Sequence, residues 1–100
     1  MDKQAFTVIA PSIPHRPGIY KYYSSDGQII YVKKKKNLYK RVSSYFNKIS
    51  GYYKTQKLVS EICNIEIAIV DSEQDALHLE NSLIKQYQPK YNMMLKDDKT

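Results

Sequence analysis

A single acidic residue falls on the apolar side of the longest helix that the sequence predicts. Over residues 72–87, a rotation of about 100° per residue brings most of the apolar side chains onto one broad face. The residues of that face are Ala76, Leu77, Leu79, Leu83, Ile84 and Tyr87. Glu80 lies near its middle. Because an ionised carboxylate is almost never fully buried unless a cation pairs with it, we expect a positive charge to meet Glu80.

The composition describes a small basic domain. One hundred residues, 42% of them hydrophobic, are enough for one core, and a net charge of +6 favours an anionic partner such as nucleic acid or a membrane surface. The single cysteine, Cys63, excludes an internal disulfide framework and a cysteine-rich zinc site. No apolar run approaches the roughly 20 residues that span a bilayer, and the first residues lack the order of a signal peptide. We therefore expect a cytoplasmic protein.

Three strands are predicted, two of them joined in a hairpin. Residues 18–23 and 29–32 are rich in β-branched and aromatic side chains, and Asp26 followed by Gly27 is typical of a hairpin turn between them. Isoleucines alternate along residues 64–70, which predicts a third strand with one apolar face.

Helical periodicity predicts the elements between and after the strands. A helix capped by Asn37 runs to about Ile49. A polar loop over residues 50–57 leads into a short helix over residues 58–63, and the helix that carries Glu80 follows the third strand. The order β-β-α-α-β-α predicts an α+β fold in which helices flank a small, mainly antiparallel sheet of three strands.

The two ends of the chain carry weaker signals. Residues 1–17 contain three prolines and little periodicity, so we expect an irregular lead-in. Residues 18–100 show no repeat or linker, which predicts one domain. Pro89 ends the last helix, and an extended tail is expected from Tyr91 onward.

Four consecutive lysines follow the second strand and precede a predicted helix. The basic side chains of this region are Lys33, Lys34, Lys35, Lys36, Lys40 and Arg41. Ammonium groups beside the free N–H groups of a helix start form an anion site, although many charge runs are simply solvated. The nearby aromatic residues Tyr31, Tyr39 and Tyr45 favour a nucleic-acid phosphate backbone as the ligand.

Two further arrangements have both a structural and a chemical interpretation. Arg41 and Tyr45 are four residues apart, so they are neighbours on one helix side, where they either clamp a phosphate or border the core. Tyr20 and Tyr31 lie on the hairpin strands, where aromatic pairs more often pack than react. Tyrosine, with an ordinary pKa of about 10, is a poor base unless nearby cations lower that pKa.

Several of these motifs, in this order, resemble the GIY-YIG nuclease family. Gly18, Ile19 and Tyr20 match its first motif, and Tyr31 with Val32 begins its second. The segments KNLYKRVSSYF, DSEQDALHLENSLIKQYQPKYN and LKDDKT are similar to the branch of the family that acts in bacterial nucleotide excision repair. The resemblance covers residues 14–100.

The resemblance implies a DNA endonuclease that hydrolyses a phosphodiester with one divalent cation, magnesium or manganese. It implies that Glu80 holds the cation, that Tyr31 orients or deprotonates the attacking water, and that Arg41 stabilises charge on the phosphate. Tyr20 is the other motif tyrosine. The supporting residues that it implies are Lys34, Tyr45 and Asn92. The lysines assigned to DNA phosphates are Lys33, Lys34, Lys35, Lys36 and Lys40.

The implied partners are damaged double-stranded DNA and the repair protein UvrB. The branch incises DNA 3′ of a lesion after handover from UvrB, through regions expected to lie outside this domain. We expect a monomer excised from a longer chain and no membrane partner.

One position departs from the family pattern, which has glycine where this chain has Lys33. Glycine permits conformations and a close approach that a residue with a Cβ atom resists. Two functions therefore stay open: an active endonuclease, or a catalytically impaired module that docks nucleic acid or UvrB. A homing or restriction enzyme is disfavoured by the last segment of the chain.

Overall fold

The hairpin predicted around Asp26 and Gly27 supplies the central strand of the sheet and one of its edges. In the computed structural model, which describes residues 1–47 and 53–94, strands β1 (Gly18–Tyr23) and β2 (Ile29–Lys35) pair antiparallel. Gly27 has a φ of 83°, which glycine adopts without steric cost. Its N–H donates to the carbonyl oxygen of Ser24 at 3.0 Å and closes the turn.

Strand β3 (Asn64–Ile69) pairs antiparallel with the other side of β1, so the sheet order is β2-β1-β3. Tyr22 faces Tyr31 across the hairpin, and Tyr20 faces Lys33, which places these side chains on one face of the sheet. The predicted α+β fold with a three-stranded antiparallel sheet is confirmed.

Helices α2 (Leu38–Asn47) and α4 (Glu73–Tyr87) both pack on strands β1 and β2. The side-chain oxygen of Asn37 caps α2 by accepting from Lys40 N at 3.0 Å, and the Ser72 hydroxyl caps α4 by accepting from Asp75 N at 3.1 Å. The tyrosine face of the sheet contacts α2, while Ile19 and Val32, which alternate to the opposite face, are fully buried. The two helices therefore cover opposite faces.

The first residues are not the irregular lead-in that the prolines predict. Helix α1 (Lys3–Ile9) is capped by Asp2, and a 3-10 helix (Ala10–Ser12) follows. The Phe6 ring is buried and stacks on Phe46, with centroids 4.5 Å apart. A helix of seven residues is too short to be stable alone, so this tertiary contact, which periodicity does not reveal, stabilises it.

Two further predictions were wrong. Helix α3 (Tyr53–Glu61) includes residues 53–57, for which the sequence predicts a polar loop. The fully buried Leu58 anchors this helix, although its first residues are polar. Helix α5 (Lys90–Met94) replaces the extended tail, and its Tyr91 is fully buried. Predictions for residues 48–52 and 95–100 lie outside the described residues. Within the described ranges, no helix has the length and apolar character needed to cross a membrane.

Gly18 lies where the sheet has no room for a side chain. A Cβ atom there would come within 2.3 Å of the carbonyl oxygen of Ala68 and 2.9 Å of Leu38 Cδ1.

Because a backbone oxygen moves only with its strand, we expect Gly18→Ala to lower the free energy of unfolding by about 3 kcal/mol in urea denaturation. Gly27→Ala is the matched control, since nothing lies within 4 Å and only a backbone cost of about 1 kcal/mol applies. Equal losses in the two variants would contradict the steric explanation.

Candidate active site

A cleft of about 790 Å³ opens where the end of β2, the start of α2 and the first half of α4 meet. The residues that line it are Pro17, Lys33, Lys34, Lys35, Lys36, Asn37, Lys40, Arg41, Ser44, Glu73, Ala76 and Glu80. All the basic residues of the predicted phosphate site therefore border one cavity together with Glu80. The combination favours an anionic ligand.

Glu80 is buried at the wall of this cleft, with 8% of its surface exposed. Its Oε2 atom accepts a hydrogen bond from the backbone N–H of Lys34 at 2.9 Å. No lysine or arginine within residues 1–47 and 53–94 forms a salt bridge with Glu80, so its partner within the protein is an edge amide of β2. This bond orients the carboxylate and engages only one of its two oxygens.

Four tyrosines, three of them buried and Tyr45 half-buried, form a cluster behind the cleft. Tyr20 and Tyr22 are fully buried and Tyr31 is 6% exposed. The hydroxyls of Tyr20 and Tyr45 lie 3.2 Å apart, and the Tyr22 ring meets that of Tyr45 edge to face, with centroids 5.4 Å apart. Tyr22 was not among the predicted site residues, although its spacing of two from Tyr20 places both on one face of β1.

Arg41 connects the tyrosine cluster to the cleft. Its Cζ atom lies over the Tyr45 ring, 5.2 Å from the centroid, and the side chain also lines the cavity. No acid in the described part of the chain forms a salt bridge with Arg41. Aromatic contacts thus hold the guanidinium while its charge remains available to an anion.

Burial and the neighbouring side chains set the protonation states of Tyr20 and Arg41. Burial, followed by the proximity of Tyr45, raises the pKa of Tyr20 well above its ordinary value, so Tyr20 stays a neutral hydrogen-bonding group. Burial by itself lowers the pKa of Arg41, but the hydroxyls of Tyr45 and Tyr20 more than offset this, and the pKa lies above its ordinary value. Arg41 is therefore a permanent cation.

The lysines of the cleft differ in their partners. Lys36 pairs with Glu73 at 3.3 Å, and both side chains are exposed. Lys33, Lys34 and Lys40 form no salt bridge with any acid of the described ranges. Glu73 was missed as a cleft residue because its position in the first turn of α4 indicates only a favourable helix start.

Asn92 does not line the cleft. Its Oδ1 atom accepts from Val32 N at 2.8 Å, and its Nδ2 atom donates to Val32 O at 2.8 Å, so its amide pairs with β2 as a neighbouring strand would. Val32 lies between Tyr31 and Lys33, so Asn92 positions the strand that carries both. This predicted residue therefore contacts the backbone of β2 and not the cleft.

The acidic groups of the cleft fit a hard divalent cation. Residues 1–47 and 53–94 contain no cluster of three or more His, Cys, Asp or Glu side chains arranged to bind a metal. Magnesium needs no such cluster, because it keeps several waters and is bound by one or two carboxylates together with substrate phosphates. Glu80 supplies a buried carboxylate and the surrounding cations supply sites for phosphate.

The sequence matches one protein family over most of its length. Residues 16–93 match the family described as the UvrC-like GIY-YIG domain. The chain is 54% identical over 100 residues to UvrABC system protein C of Porphyromonas gingivalis and 51% identical over 100 residues to that of Christiangramia forsetii. These alignments include 100% of this chain but only 17% of each relative.

Solved structures are similar to this chain in fold as well as in sequence. A point mutant of the GIY-YIG N-terminal endonuclease domain of UvrC from Thermotoga maritima, bound to its catalytic divalent cation, has a TM-score of 0.79 and 34% identity. That match covers 92% of this chain and 98% of the other. The magnesium-bound form of the same Thermotoga domain has a TM-score of 0.77 and 34% identity, covering 89% and 97% of the two chains.

We expect Asn92→Ala to destabilise the domain because it leaves the N–H and C=O of Val32 without partners. The free energy of unfolding in urea should fall by about 1–3 kcal/mol. Asn81→Ala, at an exposed position of α4, is the matched control and should change stability by less than about 0.5 kcal/mol. Equal stability of the two variants would show that the amide pairing with β2 has no structural role.

Proposed function

The chain belongs to the UvrC-like GIY-YIG domain family, and we propose that it is a divalent-metal-dependent DNA endonuclease domain of nucleotide excision repair. The observation that supports this most directly is the burial of Glu80 beside a cleft lined by lysines and Arg41. A buried carboxylate surrounded by cations is suited to a substrate that brings both phosphate and a metal ion. The catalytic divalent cation of the Thermotoga maritima UvrC domain supports the same requirement here.

Glu80 is the proposed ligand of one magnesium or manganese ion. When bound, such a cation polarises a phosphate oxygen and lowers the pKa of a coordinated water. The hydrogen bond from Lys34 N holds the carboxylate in one orientation, which reduces the freedom that ligand binding must remove.

Arg41 is the proposed group that stabilises negative charge on the phosphate. Stacking on Tyr45 holds the guanidinium in place without neutralising it, and the Tyr20 hydroxyl supports Tyr45 at 3.2 Å. Tyr31 is assigned to the attacking water, which it orients or deprotonates. Asn92 supports Tyr31 by fixing the backbone at Val32.

Phosphates on either side of the scissile bond are assigned to the cleft lysines Lys33, Lys34, Lys35, Lys36 and Lys40. Such contacts neutralise phosphate charge without reading sequence, as an enzyme of damaged DNA requires. From the family we propose damaged double-stranded DNA as the substrate, with incision 3′ of the lesion after handover from UvrB. We also propose a monomeric state and a cytoplasmic location. The domain is proposed to span residues 18–100 of a longer protein, although Phe6 packs the preceding segment onto its core.

The alternative, a catalytically impaired docking module, depends on Lys33 in place of glycine. Lys33 lies within β2, opposite Tyr20, and Gln88 is the one non-glycine residue with positive φ in the described ranges. The backbone at Lys33 therefore has no need of glycine, and the side chain adds to the cleft a cation that no acid of the described ranges neutralises. This favours the active enzyme.

We expect Glu80→Gln to weaken manganese binding by more than about 100-fold, because loss of a ligand exceeds the usual effect of second-shell changes. Isothermal titration calorimetry measures the affinity. The fold should persist, since the glutamine carbonyl can still accept from Lys34 N. Glu73→Gln, an acid of the same cleft that is exposed and paired with Lys36, is the matched control and should bind normally. Unchanged affinity in Glu80→Gln would refute the metal assignment.

We expect Lys33→Gly to nick plasmid DNA with the same kcat as the unmodified chain and with a higher KM. One phosphate contact fewer should also reduce the slope of log affinity against log salt by about 1. Lys33→Ala removes the charge without adding backbone freedom and should behave in the same way. Activity found only in the glycine variant would support the docking module.

A further inference from the structure

Two aromatic rings in contact form a platform beside the residues that line the cleft. The imidazole of His15 lies on the Tyr39 ring, with centroids 4.5 Å apart and planes inclined by 36°. Tyr39 is half-buried and packs against the core, whereas His15 is exposed. Tyr39 thus contacts the imidazole from the core side, while the His15 side chain remains exposed to solvent.

The backbone holds His15 firmly on the start of α2. The carbonyl of Arg16 accepts from Leu38 N at 3.0 Å, and that of Pro14 accepts from Tyr39 N at 3.1 Å. These N–H groups belong to the first turn, which has no partners within the helix. Since the residues on both sides of His15 satisfy them, the platform is fixed before any ligand binds.

Asn37 connects the platform to the cleft. Its Oδ1 atom accepts from Lys40 N, so its amide presents Nδ2 to His15 Nδ1 at 3.5 Å, and the imidazole nitrogen accepts. Asn37, Lys40 and Pro17 all line the cleft. His15 therefore lies next to residues that line the proposed phosphate site.

The positive charges beside the platform suit the phosphates of a nucleotide. Arg16 and Lys40 are exposed and form no salt bridge with an acid of residues 1–47 or 53–94. An aromatic face beside free cations is the combination that binds single-stranded nucleic acid, because the ring stacks on a base and the cations attract phosphates.

We propose that His15, supported by Tyr39, stacks on an unpaired nucleobase that flanks the phosphate bound in the cleft. In an intact duplex, neighbouring bases cover both faces of each base, so only an unpaired or displaced base can stack on the protein. The platform therefore selects distorted DNA over regular duplex. This inference rests on the proposed function of the cleft in binding DNA.

Binding in EDTA at low salt tests the platform without cleavage. The ligands are two duplexes of the same sequence that contain 2-aminopurine, one fully paired and one with a short central unpaired region around the probe. We expect the chain to quench the unpaired probe and to prefer that duplex. His15→Ala should reduce the preference roughly five- to a hundred-fold, the range that corresponds to loss of one base–aromatic stack.

Two variants separate stacking from other roles of the residue. His15→Phe keeps a ring and should keep the preference, and His78→Ala removes the exposed histidine of α4, whose ring contacts Gln74, and should change nothing. The inference is overturned if His15→Ala keeps the preference, if His15→Phe loses it, or if His15→Ala weakens both duplexes equally.

Together with the manganese titration and the plasmid-nicking assay, these binding measurements distinguish this inference from the proposed nuclease. A chain that nicks plasmid DNA with manganese but shows no preference between the duplexes overturns the platform alone. A chain that shows the preference but neither binds manganese nor nicks DNA overturns the nuclease and leaves the platform in place.

Discussion

Strand β2 lies at the edge of the described sheet, and two side chains from the last third of the sequence satisfy its outer backbone groups. Asn92 pairs with both polar groups of Val32, and Glu80 accepts from Lys34 N. A buried backbone group without a partner costs about 1–3 kcal/mol, so these contacts stabilise the fold. They also position the cleft, because Glu80 reaches its wall through the same bond that completes the edge of the sheet.

The tyrosine cluster holds the cation of Arg41 in place without neutralising its charge. A carboxylate beside Arg41 would compete with a phosphate for the guanidinium. The ring of Tyr45 holds Arg41 by its π-face, and buried tyrosines that stay protonated surround that ring. Arg41 and the buried carboxylate of Glu80 therefore both face a cleft suited to a ligand that carries phosphate and metal.

Local patterns in the sequence predicted the parts of the site that lie within one element. Helical periodicity placed Glu80 on the packed face of α4, and a spacing of four placed Arg41 beside Tyr45. The same reasoning did not predict that Glu80 also accepts from Lys34 N, because a backbone amide leaves no mark in the residue pattern. It also missed α1 and α5, since short helices are stabilised by contacts such as Phe6 on Phe46.

By itself, the sequence determined the hairpin, the three strands, the long helices α2 and α4, and the family resemblance. Each of these depends on turn residues, periodicity or motifs that lie close together in the chain. The tertiary structure decided which groups meet. It placed Asn92 at the edge of β2 and not in the cleft, brought the ring of His15 against Tyr39, and paired Glu80 with the amide of Lys34. These pairs are 60, 24 and 46 residues apart in the chain, and contacts at such separations depend on packing that no local pattern encodes.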